Sequence, residues 1–239
     1  LFKELRVLRI TKSKDLNGFE QKFGSLTHLE VVDLSENRLS FLTCCSPKFP
    51  RSPNLKHLNL SFNSDISLTG EFANLRNLLY LDLQHTKLIH HGTYPVFLLL
   101  QKLIYLDISY TKTHVMSHLI FHGLNSLQVL KMAGNSFENN TLTNNFENVR
   151  RLRILDISSC KLVWVDQSTF NALSELKELI ISNNKLLTFD PVTYKPLQAL
   201  TALDFSNNQM SFLSDSALEI LPDSLVLLDI SHNLFECSC

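Results

Sequence analysis

Leu127-Gln128-Val129-Leu130-Lys131-Met132-Ala133-Gly134-Asn135-Ser136-Phe137 spaces its apolar side chains as L-x-x-L-x-L-x-x-N-x-L, and the same spacing returns on both sides of it. Upstream it reads Leu29, Val32, Leu34, Asn37, Leu39 and then Leu55, Leu58, Leu60, Asn63. Downstream it reads Leu176, Leu179, Ile181, Asn184, Leu186, then Leu200, Leu203, Phe205, Asn208, Met210, then Leu225, Leu228, Ile230, Asn233, Phe235. Looser copies surround Leu8, Leu81, Leu106 and Leu155. The second anchor falls at 8, 32, 58, 81, 106, 130, 155, 179, 203 and 228, so neighbouring copies are 23 to 26 residues apart. A period of that length over ten copies is the signature of a stacked repeat array.

Each copy has a mechanical meaning. The central L-x-L is a short strand whose two apolar residues point to one side, because side chains alternate along a strand. Stacked copies place these strands side by side in a parallel sheet. The asparagine follows where the chain turns away, and its amide can satisfy backbone groups that a buried turn would strand. Thr86, Thr111 and Cys160 hold that position in three copies. A second column runs Phe23, Phe72, Phe97, Phe121, Phe146, Phe170 and Tyr194, each three residues before an apolar partner, and fits a ring packed once per turn on the outer side. The expected fold is therefore α/β, a curved leucine-rich-repeat solenoid. Its parallel β-sheet lies on the concave face and its loops and short helices on the convex face. Residues 1–235 are expected to form the array of about ten repeats, and 236–239 to open a cysteine-rich terminal cap that continues beyond this stretch. The terminal copies are expected to lack cover.

Composition agrees. The chain has 239 residues, a formal net charge of -1, and only 6 glycines and 7 prolines, so neither disorder nor attraction to nucleic acid is indicated. The apolar run Val96 to Leu100 is too short to cross a bilayer. No secretory signal opens the chain, so any such signal and any membrane span are expected outside this stretch.

The residue between the two strand leucines faces the concave side. In order these are Arg9, Asp33, Asn59, Asp82, Asp107, Lys131, Asp156, Ile180, Asp204 and Asp229. The acidic row could attract a cation or a basic partner. Because L-D-L-S is ordinary usage in such repeats, the plainer expectation is a row of solvated carboxylates. No catalytic signature occurs: the chain holds no G-x-S-x-G, H-E-x-x-H, phosphate loop or G-x-G-x-x-G. No catalytic residue, metal ligand set or cofactor is assigned, and His85 faces Tyr110 in the next copy, so no histidine ladder forms.

Five cysteines leave an odd count. Cys237 and Cys239 close the chain as if their partners lay beyond it. The pattern suits an oxidising compartment. Cys160 is expected to be a free, buried thiol. Cys44 and Cys45 are adjacent, with α-carbons about 3.8 Å apart, shorter than the usual disulfide span of roughly 4.4–6.8 Å. A bond between them needs strain; no other partner is evident, and a vicinal bond is the expectation. Two sequons occur, Asn59-Leu60-Ser61 and Asn139-Asn140-Thr141. Asn139 lies in a polar stretch and is a glycosylation candidate; Asn59 would carry a glycan onto the concave face.

Leu103-Ile104-Tyr105-Leu106-Asp107-Ile108-Ser109, followed by the Met132-Ala133-Gly134-Asn135-Ser136-Phe137 run, carries a family resemblance. With Leu39-Ser40-Phe41, the Cys44-Cys45 doublet and Leu83-Gln84-His85, these residues resemble the C-terminal half of the ectodomain of the Toll-like receptor family, over essentially the whole chain. The resemblance implies an innate immune receptor on the extracellular side of the cell membrane, single-pass and type I. Its implied partners are a small MD-2-like co-receptor, bacterial lipopolysaccharide held by that co-receptor, and a second receptor copy recruited by the ligand. It places the dimer contact between Glu71 and Ser117, with Tyr94 and Leu98 as apolar anchors, and a lipid phosphate contact at Lys14. Ser117 stands where the family has a bulky aromatic, and Leu42 where it has a second lysine. Two alternatives are kept: a signalling-deficient paralogue, and an adhesion or matrix repeat protein that binds protein on its concave face.

Overall fold

The computed structural model describes residues 2–13, 16, 26–40, 52–67, 72, 74–89, 95–113, 119–143 and 146–235. Fourteen short strands occur among them. They are β1 (Val7–Arg9), β2 (Val31–Asp33), β3 (His57–Asn59), β4 (Asp65–Ser67), β5 (Tyr80–Asp82), β6 (Lys87–Ile89) and β7 (Tyr105–Asp107). Then follow β8 (Val129–Lys131), β9 (Thr141–Leu142), β10 (Ile154–Asp156), β11 (Trp164–Val165), β12 (Glu178–Ile180), β13 (Ala202–Asp204) and β14 (Leu227–Asp229). Ten form one parallel sheet in the order β1-β2-β3-β5-β7-β8-β10-β12-β13-β14. Two small parallel pairs, β4 with β6 and β9 with β11, lie beyond the turns.

The register follows the sequence period. Leu8 pairs with Val32, Val32 with Leu58, Leu58 with Leu81 and Leu81 with Leu106. The series continues through Leu130, Leu155, Leu179, Leu203 and Leu228. All ten anchors share one row, and those from Val32 to Leu203 are buried. A slip of one residue would turn every anchor outward, so burial fixes the register.

The outer side is built mainly of turns. Among the described residues two short α-helices occur, α1 (Pro191–Tyr194), capped by the Asp190 carboxylate, and α2 (Asp215–Glu219), capped by Ser214. The aromatic column is real: Phe72, Phe97, Phe121, Phe146, Phe170 and Tyr194 are all buried. Ring centroids lie 6.2 Å apart for Phe72–Phe97, 6.1 Å for Phe121–Phe146 and 6.4 Å for Phe146–Phe170. The three-residue spacing has a cause. The N–H of Leu75, Leu100, Leu124, Val149, Leu173 and Leu197 donates to the carbonyl of the ring residue three before it, so each pair brackets one turn.

Between sheet and outer turns runs the asparagine ladder. Asn184 Nδ2 donates to Ile157 O (3.0 Å) in the preceding copy and to Ile181 O (2.9 Å) in its own. Its Oδ1 accepts the N–H of Cys160 and of Leu162, each at 3.0 Å. Asn63 and Asn135 bridge copies in the same way. The variants fill part of the role: Thr86 Oγ1 reaches Leu60 O at 3.0 Å, and Cys160 Sγ reaches Met132 O at 3.4 Å. Cys160 is wholly buried and free, and burial pushes its thiol up to about 12. Cys44, Cys45, Cys237 and Cys239, and with them the vicinal bond and the terminal cap, lie outside the described residues.

Two outcomes follow. Asn184→Ala strands several buried backbone groups and is expected to cost more than about 3 kcal/mol in chemical unfolding, at about 1–3 kcal/mol per orphaned group; Asn184→Thr, the residue type used at positions 86 and 111, recovers part of that loss. Cys160 is expected to resist a thiol reagent under native conditions and to react once denaturant is added, since the thiolate is the reactive form; rapid native labelling would contradict its placement.

Candidate functional site

Of the residues assigned to the lateral contact, Leu98 is described, and it is exposed at 39% of its surface. It sits one residue after the buried ring of Phe97, on a turn closed by its own N–H to Pro95 O (3.3 Å). The next copy presses against that turn. Gly123 has φ of 92°, and a Cβ there would strike the Leu98 carbonyl and α-carbon. Leu98 is thus an apolar side chain held outward on a backbone that two copies clamp. Tyr94, Glu71, Ser117 and Lys14 lie outside the described residues, as do Leu42 and Phe23.

A row of rings lies where the chain leaves the sheet. Phe62, His85 and Tyr110 stand one residue before the ladder position in three successive copies, each with positive φ near 55°. Phe62 stacks on His85 at 4.5 Å and His85 on Tyr110 at 4.7 Å, with interplanar angles of 14° and 6°. The row ends over Gly134, whose missing side chain makes room for the Tyr110 ring. Phe62 and Tyr110 are nearly half exposed. From the sequence Tyr110 is the counterpart of His85, and the stacking of the two rings is not foreseen there. The signal was available in the column one residue before the asparagine.

A second row lies on the concave face. His57, Tyr80 and Tyr105 precede the strand leucine in β3, β5 and β7. Tyr80 and Tyr105 stack at 4.2 Å, His57 lies 5.7 Å from Tyr80, and Lys131 Nζ stands 6.0 Å from the Tyr105 centroid. This column was not read from the sequence either.

The expectation of a solvated acidic row needs correction in two respects. Asp82 and Asp107 are buried, at 4% exposure each, in the two strands that carry the stacked tyrosines. The carboxylates also do structural work. Asp33, Asp82, Asp107, Asp156, Asp204 and Asp229 each accept the backbone N–H two residues on, at 2.8 to 3.0 Å, and Asn59 does the same. Each ends its strand as an Asx turn, so the recurring aspartate is a strand terminator first. Among the described residues no group of three or more His, Cys, Asp or Glu is arranged to hold a metal ion, and no helix is long and apolar enough to cross a membrane.

The sequons differ sharply. The Asn59 side chain is tied to Ser61 N (2.9 Å) on the concave face. Asn139 is exposed, with φ of 53°, in the turn before β9.

Burial, reinforced by the Asp107 carboxylate, holds the Asp82 carboxyl above its ordinary range, against the Gln84 N–H and the Lys131 ammonium, which lower it. An acid with a raised folded-state pKa binds its proton more tightly folded than unfolded, so its ionisation opposes folding at neutral pH. The opposition vanishes as pH falls below the unfolded value of about 3.9. Asp82→Asn is therefore expected to melt higher than the parent at pH 7 and level with it near pH 3. A lower melting temperature at pH 7 would reverse the assignment.

Comparison with known proteins places this geometry. The leucine rich repeat family model matches residues 150–210. Toll-like receptor 4 of Bos taurus is 44% identical over 235 residues, covering 98% of this chain and 28% of that protein. CD180 antigen of Mus musculus is 32% identical over 152 residues, covering 62% of this chain and 23% of that protein. The crystal structure of the mouse RP105/MD-1 complex superposes with a TM-score of 0.82 at 30% identity, over 90% of this chain and 36% of that one. The TLR13-ssRNA13 complex superposes equally well, at 0.82, but at 23% identity, which speaks for the fold alone. The chain spans about a quarter of the curated relatives it matches. With ten registered copies, the asparagine ladder and this similarity together, the chain is a leucine-rich-repeat solenoid that resembles, along nearly its whole length, a segment of Toll-like receptor 4.

Proposed function

We propose that this chain is part of the extracellular recognition surface of a Toll-like innate immune receptor, without catalysis of its own. It holds a small MD-2-like co-receptor that carries the lipid ligand, and a lipopolysaccharide-type ligand bridges it to a second receptor copy. The rest of the receptor, its single membrane span included, lies in sequence beyond this stretch. The observation that carries the reading is the 44% sequence identity to Toll-like receptor 4 of Bos taurus over 98% of the chain. The co-receptor draws support from the RP105/MD-1 complex as a structural neighbour.

The bridging contact is assigned to the lateral loops between Glu71 and Ser117, with Tyr94 and Leu98 as anchors. Leu98 supports it: an exposed apolar side chain on a clamped backbone presents contact area with little left to order on binding. Lys14 is assigned a phosphate of the lipid, as a point charge suited to an anionic oxygen. Cys44 with Cys45 as a vicinal disulfide, and Cys237 with Cys239 as the start of a terminal cap, complete the reading.

A second reading, a signalling-deficient paralogue that holds the same kind of co-receptor, is favoured by two departures and one relative. Ser117 lacks the bulky aromatic of the family pattern, Leu42 lacks the lysine, and CD180 antigen is among the similar proteins. An adhesion-type protein with a concave-face partner draws on the exposed His57 ring and the half-buried Tyr80 and Tyr105 rings beside it.

The test is dimerisation of the ectodomain with an MD-2-type co-receptor and lipopolysaccharide, followed by light scattering. Tyr94→Ala and Leu98→Ala are expected to keep the parent melting temperature and the first co-receptor contact. Each is expected to weaken dimerisation by about 2 kcal/mol, roughly thirtyfold in affinity. Leu130→Ala, in the buried row, is expected to lose about 2–5 kcal/mol of stability and all binding with it. Normal dimerisation of both loop variants would remove the site; co-receptor binding without lipopolysaccharide-driven dimers would favour the paralogue.

A further inference from the structure

Two short strands on the outer side bring together a sequon and an exposed apolar pair. In β9 and β11 Thr141 lies opposite Trp164, and Leu142 opposite Val165. Leu142 and Val165 face inward and are buried. Thr141 and Trp164 therefore face outward together, on strands about 4.8 Å apart. Val163 joins the same edge through its N–H to Asn140 O (3.0 Å). Trp164 is 46% exposed and Val163 41%. Trp164 is the one tryptophan of the chain, and an indole normally anchors a core or a contact.

Asn139 stands two residues before Thr141, exposed, and the Thr141 hydroxyl donates to the Asn139 carbonyl at 3.2 Å. The sequon thus folds into one compact turn with Asn139 exposed. Asn59, the other sequon, has its side chain committed to a strand end.

We infer that Asn139 carries an N-linked glycan whose first N-acetylglucosamine packs over Trp164 and Val163. In the transfer, Asn139 Nδ2 forms a bond to C1 of the sugar. The bond from that carbon to the diphosphate of a polyprenyl-linked oligosaccharide donor breaks. The polyprenyl diphosphate leaves, and the amide proton goes with it; nothing is oxidised or reduced. The sugar's apolar face then has an aromatic plane to lie on, and the apolar pair gains its cover from the chain's own modification. Trp164 also borders a shallow depression lined by Leu186, Thr188, Asp190 and Tyr194, which leaves the indole approachable on that side. The inference rests on the reading that this surface faces the outside of the cell.

The experiment uses the full chain expressed in a secreting animal cell line. Glycopeptide mass spectrometry is expected to find Asn139 occupied, and Asn139→Gln or Thr141→Val to lose one glycan's mass. Trp164 fluorescence, isolated by difference from Trp164→Phe, is expected to shift to longer wavelength in both unglycosylated variants and to be quenched more by acrylamide. A protein that reaches the cell surface with Asn139 bare overturns the inference and leaves the receptor reading standing. Retention inside the cell, closed to external protease, overturns both. Occupancy with no change in Trp164 emission or quenching overturns the packing.

Discussion

Each copy of this chain buries a bend, and a buried bend leaves backbone N–H and carbonyl groups without water. The ladder answers that constraint. In most copies one asparagine amide offers donors to carbonyls in two successive turns and an acceptor to two N–H groups, as Asn184 does for Ile157, Ile181, Cys160 and Leu162. Close stacking of the sheet strands and of the Phe97, Phe121 and Phe146 rings is compatible with burial because those bends are satisfied. The inner demands of the fold thus fall on a few positions per copy, and the outward positions are left free to vary.

That freedom explains the surfaces. Phe62, His85 and Tyr110 occupy a left-handed backbone position that disfavours large side chains, and their stacking compensates for the strain. The concave tyrosines take the place that Val7, Val31 and Ile154 hold elsewhere. Outward positions are not all idle, however. The repeated aspartates end strands, so their sign contributes to the concave field only as a consequence of a turn requirement. Loop residues on a rigid frame are where such scaffolds vary most, and Leu98 is an exposed apolar side chain on a turn that the Gly123 backbone closely approaches.

The sequence carried the register of all ten copies because the period counts residues along the chain, and counting suffices. It carried the buried ring column and the free thiol of Cys160 for the same reason. What it withheld depends on neighbours across copies. Asp82 and Asp107 read as solvated from strand alternation, and only the side chains stacked across β5 and β7 enclose them. The two surface ring rows require aligning columns that are not part of the repeat consensus. Trp164 stands 25 residues beyond Asn139, and only the pairing of β9 with β11 brings it opposite Thr141 of the same sequon. Leu98 came from family resemblance, whereas its rigidity came from Gly123.

One joint in the array departs from the rest. Thr86 bonds to Leu60 in the copy before it, but the Thr111 hydroxyl turns to Ile108 in its own copy, to Thr113 and to Asn135. Between the copies of Leu81 and Leu106 no ladder side chain crosses backward. Surface stacks cross this joint, Tyr80 on Tyr105 at 4.2 Å and His85 on Tyr110 at 4.7 Å, as Phe62 on His85 crosses the one before it at 4.5 Å. Sheet hydrogen bonds continue across it, as from Leu83 N to Asp107 O at 2.8 Å. Amide bridges are directional and resist sliding, whereas stacked rings keep most of their attraction when one slips over the other. A bend imposed on the solenoid therefore meets one ladder bond fewer at this joint than at its neighbours, where Thr86 and Asn135 each reach back to the copy before.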